Sequence, residues 1–344
     1  MVGGALANLY PGYFAMVMAT GIVSVAMKGL GFAALSQALL WLAGSAYVLL
    51  VALFAARGLL FARRVAHDLL DPKTMFTFFT FVAGSAVLGI RLWSAGLVAA
   101  AGVLAMVAAV SWLALSYSTF GALFVTSEKP LVEVVNGGWL IAVVATQSVA
   151  ILACTLWNGT NMALIFGAYA LWAVGVLLYV VLVTIIVLRL GFYRIIPGDL
   201  SPPYWINMGA SAISMVAAAT LLSRADHVPF LRPVAPTLYA AMLALWAWGT
   251  WWIPLLILIG IWKYGLRQLP LTYEPGLWSI VFPLGMYTVA TLRLAVVAGL
   301  PFLAGVAAVF VWVAFAAWTL TAGAGLYTLL RSTRAAFRPQ PRIP

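Results

Sequence analysis

The chain has 344 residues, of which 65% are hydrophobic and 7% charged, with a formal net charge of +11 and a mean hydropathy of +1.11. A soluble globular chain is about a quarter charged, so this composition excludes a water-borne enzyme or binding module and makes the bilayer the main solvent. Only helices or a closed barrel satisfy the backbone in lipid. The long unbroken apolar runs lack the alternation of a barrel, so the expected fold is an all-α polytopic membrane protein.

A bilayer core is crossed by about 20 mainly apolar residues, and charged or Pro/Gly-rich punctuation divides the sequence into ten such segments. They are expected near 11–28, 36–56, 74–94, 97–118, 135–156, 162–188, 203–223, 237–262, 276–298 and 302–330. The N-terminus lacks a basic region and a small-residue cleavage site, so the segment from Pro11 reads as a retained span rather than a removed signal. An even number puts both termini on one side. That side collects Arg57, Arg63, Arg64, Lys73, Lys129, Arg189, Arg194, Lys263, Arg267, Arg331, Arg334, Arg338 and Arg342. The other holds Lys28, Arg91, Arg224, Arg232 and Arg293. The positive-inside rule then predicts cytoplasmic termini and accounts for the net charge, so no nucleic-acid partner is implied. The tail from Arg331 to Pro344 could touch anionic headgroups. No connection is long enough to fold alone, and residues 1–344 read as one transmembrane domain.

The odd-numbered spans share a weak pattern in which a Pro or Gly is followed by aromatics and then by small or polar residues. Pro11-Gly12-Tyr13-Phe14, Met75-Phe76-Thr77-Phe78, Gly137-Gly138-Trp139, Pro202-Pro203-Tyr204-Trp205 and Pro275-Gly276-Leu277-Trp278 open the five. Thr20, Thr77, Thr80, Ser85, Thr146, Gln147, Asn207, Ser211, Ser214 and Thr288 also fall on this set, whereas even spans are blander. The pattern predicts five helical hairpins, each with an inner helix polar along one stripe and an outer helix facing lipid. Small residues also permit close packing without any pore, so the distribution carries the signal rather than any single residue.

The strings Pro11 to Gly21 (PGYFAMVMATG), Pro203 to Gly209 (PYWINMG) and Gly276 to Gly285 (GLWSIVFPLG) resemble the tellurite-resistance/dicarboxylate transporter family. That family includes bacterial tellurite-resistance proteins, plant guard-cell slow anion channels and yeast malic-acid permeases. The resemblance implies hairpins in a pseudo-fivefold arrangement around a central pore in each subunit, a homotrimer in the plasma (bacterial inner) membrane, and a phenylalanine gate, by position Phe282. Phe14, Met18, Thr20, Gly21, Phe78, Gly84, Trp139, Thr146, Gln147, Trp205, Asn207, Gly209, Ser211, Trp278 and Pro283 are the expected pore lining. Its members carry chloride, nitrate, sulfite or malate, so the expected partners are small inorganic or carboxylate anions and membrane lipid.

An anion leaving water needs fixed positive charge or oriented dipoles. Arg91 and Arg293, ending the third and ninth spans, could attract it at the outer mouth, and prolines 11, 203 and 283 could expose N–H groups to it. The alternative is proton-coupled dicarboxylate, sulfite or tellurite transport. It is disfavoured because Asp68, Asp71, Glu128, Glu133, Asp199, Asp226 and Glu274, with His67 and His227, all fall in connections. No paired-acid magnesium motif, metal cluster or nucleophile triad is evident, and Cys154 stands alone in an apolar run, so neither catalysis, a metal nor a cofactor is expected.

Overall fold

The structure, a computed structural model, describes residues 2–126 and 130–336. Glu128, Lys129 and the tail beyond residue 336, including Arg338 and Arg342, lie outside the described residues. Among those described there is no strand, and ten helices are long and apolar enough to cross a bilayer. In chain order they are α1 (Pro11–Gly29), α2 (Ala33–Leu60), α3 (Met75–Trp93), α4 (Val98–Val125) and α5 (Gly137–Leu156). The second half adds α6 (Met162–Phe192), α7 (Pro202–Leu222), α8 (Ala235–Leu266), α9 (Pro275–Val297) and α10 (Phe302–Ser332). The even helices overrun their expected ends, because a single terminal cation such as Arg57, Arg189 or Lys263 stays inside the helix instead of ending it.

Burial divides the set in two. Between 67% and 83% of each odd helix is buried, against 17% to 33% of each even one, so the odd helices form the core of the bundle and the even ones coat it. Each odd helix packs against its own hairpin partner and against two other odd helices, in the cyclic order α1, α3, α5, α7, α9 and back to α1. The small residues of the odd helices make this closeness possible. Gly209 is one such case, since a Cβ there would lie 2.9 Å from Cγ of Pro283 on α9.

Every odd helix opens with a 3-10 turn: Pro11–Tyr13, Met75–Phe78, Gly137–Leu140, Pro202–Trp205 and Pro275–Leu277. These turns are the Pro/Gly-aromatic pattern of the sequence. Proline fits a first turn because its missing N–H would have no helical partner there. The five turns touch in the same cyclic order as the helices. At one junction Gly137 lies so close to the backbone of Pro203 and Tyr204 that no side chain would fit.

The outer helices are tied in by a recurring bond. Tyr47 on α2 meets the Ser85 hydroxyl of α3 at 2.8 Å. Trp112 on α4 donates to Thr146 of α5 at 2.8 Å, and Trp172 on α6 to the Ser214 carbonyl of α7 at 3.2 Å. Trp246 on α8 donates to Thr291 of α9 at 2.9 Å, and Trp318 on α10 to Thr20 of α1 at 3.0 Å. Each outer helix therefore bonds the inner helix of the next hairpin and lies in the groove between two inner helices.

Candidate functional site

Two cavities lie at opposite ends of the ring of inner helices. The first, about 640 Å³, sits at the 3-10 turns and reaches Tyr10, Thr77, Gly138, Pro203 and Gly276. The second, about 370 Å³, lies at the far end and is lined by Ile22 and Val25 of α1, Val87 and Ile90 of α3, Ile151 and Thr155 of α5, Ile213, Val216 and Thr220 of α7, and Met286 and Val289 of α9.

Helical spacing places the stretch between them. On α9, residues 282, 286, 289 and 293 fall on one stripe, since each is separated from the next by about one helical turn. Met286, Val289 and Arg293 line the far cavity, so the same stripe carries Phe282 one turn below it. Its neighbours agree: Pro283 is turned toward Gly209 of α7, and Gly285 toward Ile22 and Val23 of α1. The face between those two contacts is the one that holds residue 282. By the same spacing Met18 and Ala83 stand one turn below the far cavity on α1 and α3, and Val144 two turns below it on α5. Each lies seven residues from the start of its span, as Phe282 does, except Ala83 at eight. Phe282, Met18, Ala83 and Val144 have no exposed surface.

The two cavities differ in charge. Among the described residues Lys28 and Arg293 stand on the far cavity and no acid does; Lys28 Nζ donates to the Ser94 carbonyl at 2.5 Å, just past the end of α3. The cavity at the 3-10 turns carries Asp71, Glu133, Asp199 and Glu274 with Lys73 and Arg189. These acids stand just ahead of four inner-helix N-termini, where a carboxylate complements the helix dipole. Arg189 is turned to backbone, donating to the carbonyls of Glu133 and Val135 at 2.6 and 2.7 Å. Tyr10 adds a neutral hydroxyl, because burial, reinforced by the nearby Glu274 carboxylate, pushes its pKa up to about 12.

The expected gate Phe282 and, of the expected lining, Met18 lie on the stripes described above, and the other residues make helix contacts. Thr20 and Thr146 accept from the outer tryptophans, Gln147 donates to the Trp172 carbonyl at 3.1 Å, and Asn207 accepts from Tyr179 at 2.9 Å. Ser211 donates to its own backbone at Met208. Gly21 backs onto Val87, Gly84 onto the Phe14 carbonyl, and Gly209 onto Pro283. Phe14 packs with Tyr47, Phe54 and Phe81, and Trp139 with Phe76. Trp278 reaches Tyr273, and Phe78 and Trp205 end 3-10 turns half-buried. Polarity of the inner helices is therefore mostly the polarity of helix contacts, because a hydroxyl in lipid is best satisfied by another helix or its own backbone.

The two arginines and the proline take different places. Arg91 is buried against α1 and α2 and stands off the axis, whereas Arg293 reaches it. Helix α9 runs through Pro283 without interruption, so proline there removes a donor and creates no half-helix N-terminus. Lys28 and the apolar residues of the far cavity were not singled out from the sequence, although counting helical turns onward from Phe282 leads to Met286, Val289 and Arg293.

The sequence matches the model of the voltage-dependent anion channel family, SLAC1, over residues 8–326. It is 24% identical over 352 residues to a sulfite efflux pump of Trichophyton rubrum, covering 94% of this chain and 91% of that one. An uncharacterized transporter of Methanocaldococcus jannaschii is 24% identical over 299 residues, 83% of each chain. An uncharacterized membrane protein of Mycobacterium tuberculosis is 42% identical over 152 residues, 44% of this chain and 77% of its own. Ten apolar helices, five of them closed into a ring, and a family match over nearly the whole length make this an integral, multi-pass member of the SLAC1 family of anion channels and transporters.

Proposed function

We propose that each subunit passes small anions along the axis of its five inner helices, with Phe282 as a steric and hydrophobic plug. The observation that carries this reading is the pair of cavities, the far one lined by all five inner helices and the other by the openings of four of them and by Tyr10 just ahead of α1, with the fully buried Phe282 on the stripe between them. The cyclic packing order supports a pseudo-fivefold arrangement of hairpins around that axis. Residues 1–344 then act as one transport domain, in a homotrimer of separately conducting subunits in the plasma membrane, with both termini in the cytoplasm as the lysine and arginine distribution favours.

Lys28 and Arg293 raise the local anion concentration at the far mouth, and the apolar walls beyond them bind the ion weakly, which suits fast passage. Sulfite is a candidate cargo, because a relative similar over most of its length is named a sulfite efflux pump. The described acids all lie outside the spans, which favours uniport. A second reading, proton-coupled carriage of a dicarboxylate, sulfite or tellurite, draws on Asp71, Glu133, Asp199 and Glu274, which could carry the proton at the first cavity.

The test is anion flux in liposomes for the wild type and Phe282→Ala, with chloride, nitrate, sulfite and malate compared under an imposed pH gradient. A quiet wild type, a strongly conducting variant and indifference to the gradient uphold the plugged passage. Flux that requires the gradient and is unchanged by the substitution replaces it with a coupled carrier.

A further inference from the structure

At the end of the bundle opposite the 3-10 turns, a second cationic pocket of about 380 Å³ lies off the axis between α1, α2 and α3. Lys28, Ser36, Gln37 and Arg91 supply its polar lining, and Trp41 and Leu97, 61% and 46% exposed, flank its opening on the outer surface. We propose that this pocket binds a phosphate-type oxyanion, the class presented by the headgroup of an anionic phospholipid.

The Arg91 guanidinium is held rather than free. Nε donates to Ser24 Oγ at 2.9 Å, Nη2 to Ser36 Oγ at 3.0 Å and Gln37 Oε1 at 3.5 Å, and Nη1 to Ser94 Oγ at 3.2 Å. Ser24 and Ser36 each give their hydroxyl hydrogen to the other's carbonyl at 2.6 Å, which leaves both oxygens as acceptors for Arg91. All these partners are neutral.

A buried cation normally needs a compensating charge. The protein does provide one for its other buried arginine, Arg57, which meets Asp68 at 2.6 Å. Among the described residues Arg91 has none, and the sequence contains no acid from residue 1 to 67 or from 72 to 127, so none of α1 to α4 can supply it. Lys28, exposed beside it, adds a second positive charge to the pocket. One Nη1 N–H of Arg91 has no acceptor among the described residues, and a planar guanidinium beside an ammonium group is well matched to a tetrahedral oxyanion. The exposed Trp41 suits the interfacial depth of a headgroup.

The test uses the full chain in nanodiscs of phosphatidylcholine, with phosphatidylglycerol or inorganic phosphate added, read by thermal melting and by lipid retained in native mass spectrometry. Two variants are compared, Arg91→Gln and Gln37→Glu. The second keeps Arg91 and sets a carboxylate within reach of Nη2, so it supplies the missing charge and displaces the ligand. Stabilisation of the wild type by phosphatidylglycerol, weakened about tenfold or more in Gln37→Glu, upholds a lipid-phosphate site. An equal effect from inorganic phosphate, lost in the same variant, upholds the site with a free oxyanion as occupant. If neither ligand acts on the wild type, or if Gln37→Glu responds as the wild type does, the proposal is overturned, even where Arg91→Gln fails to fold.

Discussion

The indole of Trp318 in α10 donates to the hydroxyl of Thr20 in α1 at 3.0 Å, joining the last hairpin to the first. The same relation ties Trp112 to Thr146 and Trp246 to Thr291. In all three, a threonine of an inner helix turns away from the axis toward an outer helix.

Thr146→Val keeps the shape of the side chain and removes the acceptor for Trp112. An interhelical hydrogen bond in a membrane protein contributes about 1 kcal/mol, so the expected outcome is a small fall in stability in a detergent melting series. Anion selectivity is expected to stay unchanged; a selectivity change would place this threonine on the path.

Gly209→Ala puts a methyl group 2.9 Å from Cγ of Pro283, in a contact where both partners are on rigid helix backbone. Overpacking of this kind costs about 1–3 kcal/mol. Melting temperature reports the loss. A displaced Pro283 also shifts the adjacent Phe282, so basal anion leak measured in liposomes is expected to rise.

Lys28→Gln and Arg293→Gln each remove a positive charge from the far cavity. Several-fold slower anion flux is expected at about 10 mM salt, and the deficit is expected to shrink at about 0.5 M, where the screening length falls below 10 Å. Flux measured against ionic strength from that side checks it. A loss independent of salt would instead point to direct coordination.

Glu274→Gln is expected to act in the opposite direction at the other cavity. With one of its four carboxylates gone, the potential there becomes more favourable to anions. Flux starting from that side is expected to rise modestly at low salt, and a fall would support the coupled-carrier reading.

Asp68→Asn breaks the pair with Arg57, whose guanidinium is buried and also holds the Ala7 carbonyl near the N-terminus. Removing one partner of a buried ion pair costs about 3–5 kcal/mol; because the Asp68 side chain is 24% exposed, the expected loss is toward the lower end. Chemical denaturation of the purified protein checks the figure.

Much of the architecture is legible in the sequence because the bilayer simplifies it. Every span must be an apolar helix, so hydropathy and Lys/Arg punctuation find ten, and the Pro/Gly-aromatic strings mark the 3-10 turns that open the odd ones. Burial separates the same two classes as the polar residues do. Phe282 is singled out in the sequence by its place ahead of Pro283, and Arg293 by its place at a helix end.

The direction of each side chain around its helix was a tertiary decision. Arg91 and Arg293 both end odd spans in the sequence, yet one is buried among Ser24, Ser36 and Ser94 and the other stands on the axis. Thr146 and Thr155 lie on the same helix, and only Thr155 reaches the far cavity. A polar residue in lipid goes to whichever neighbour can satisfy it, and that neighbour is known only once the hairpins close into a ring. Composition and periodicity determined the helices, their number and their inner or outer class; the packing of those helices decided which residues face the axis, because that depends on contacts between segments far apart in the chain.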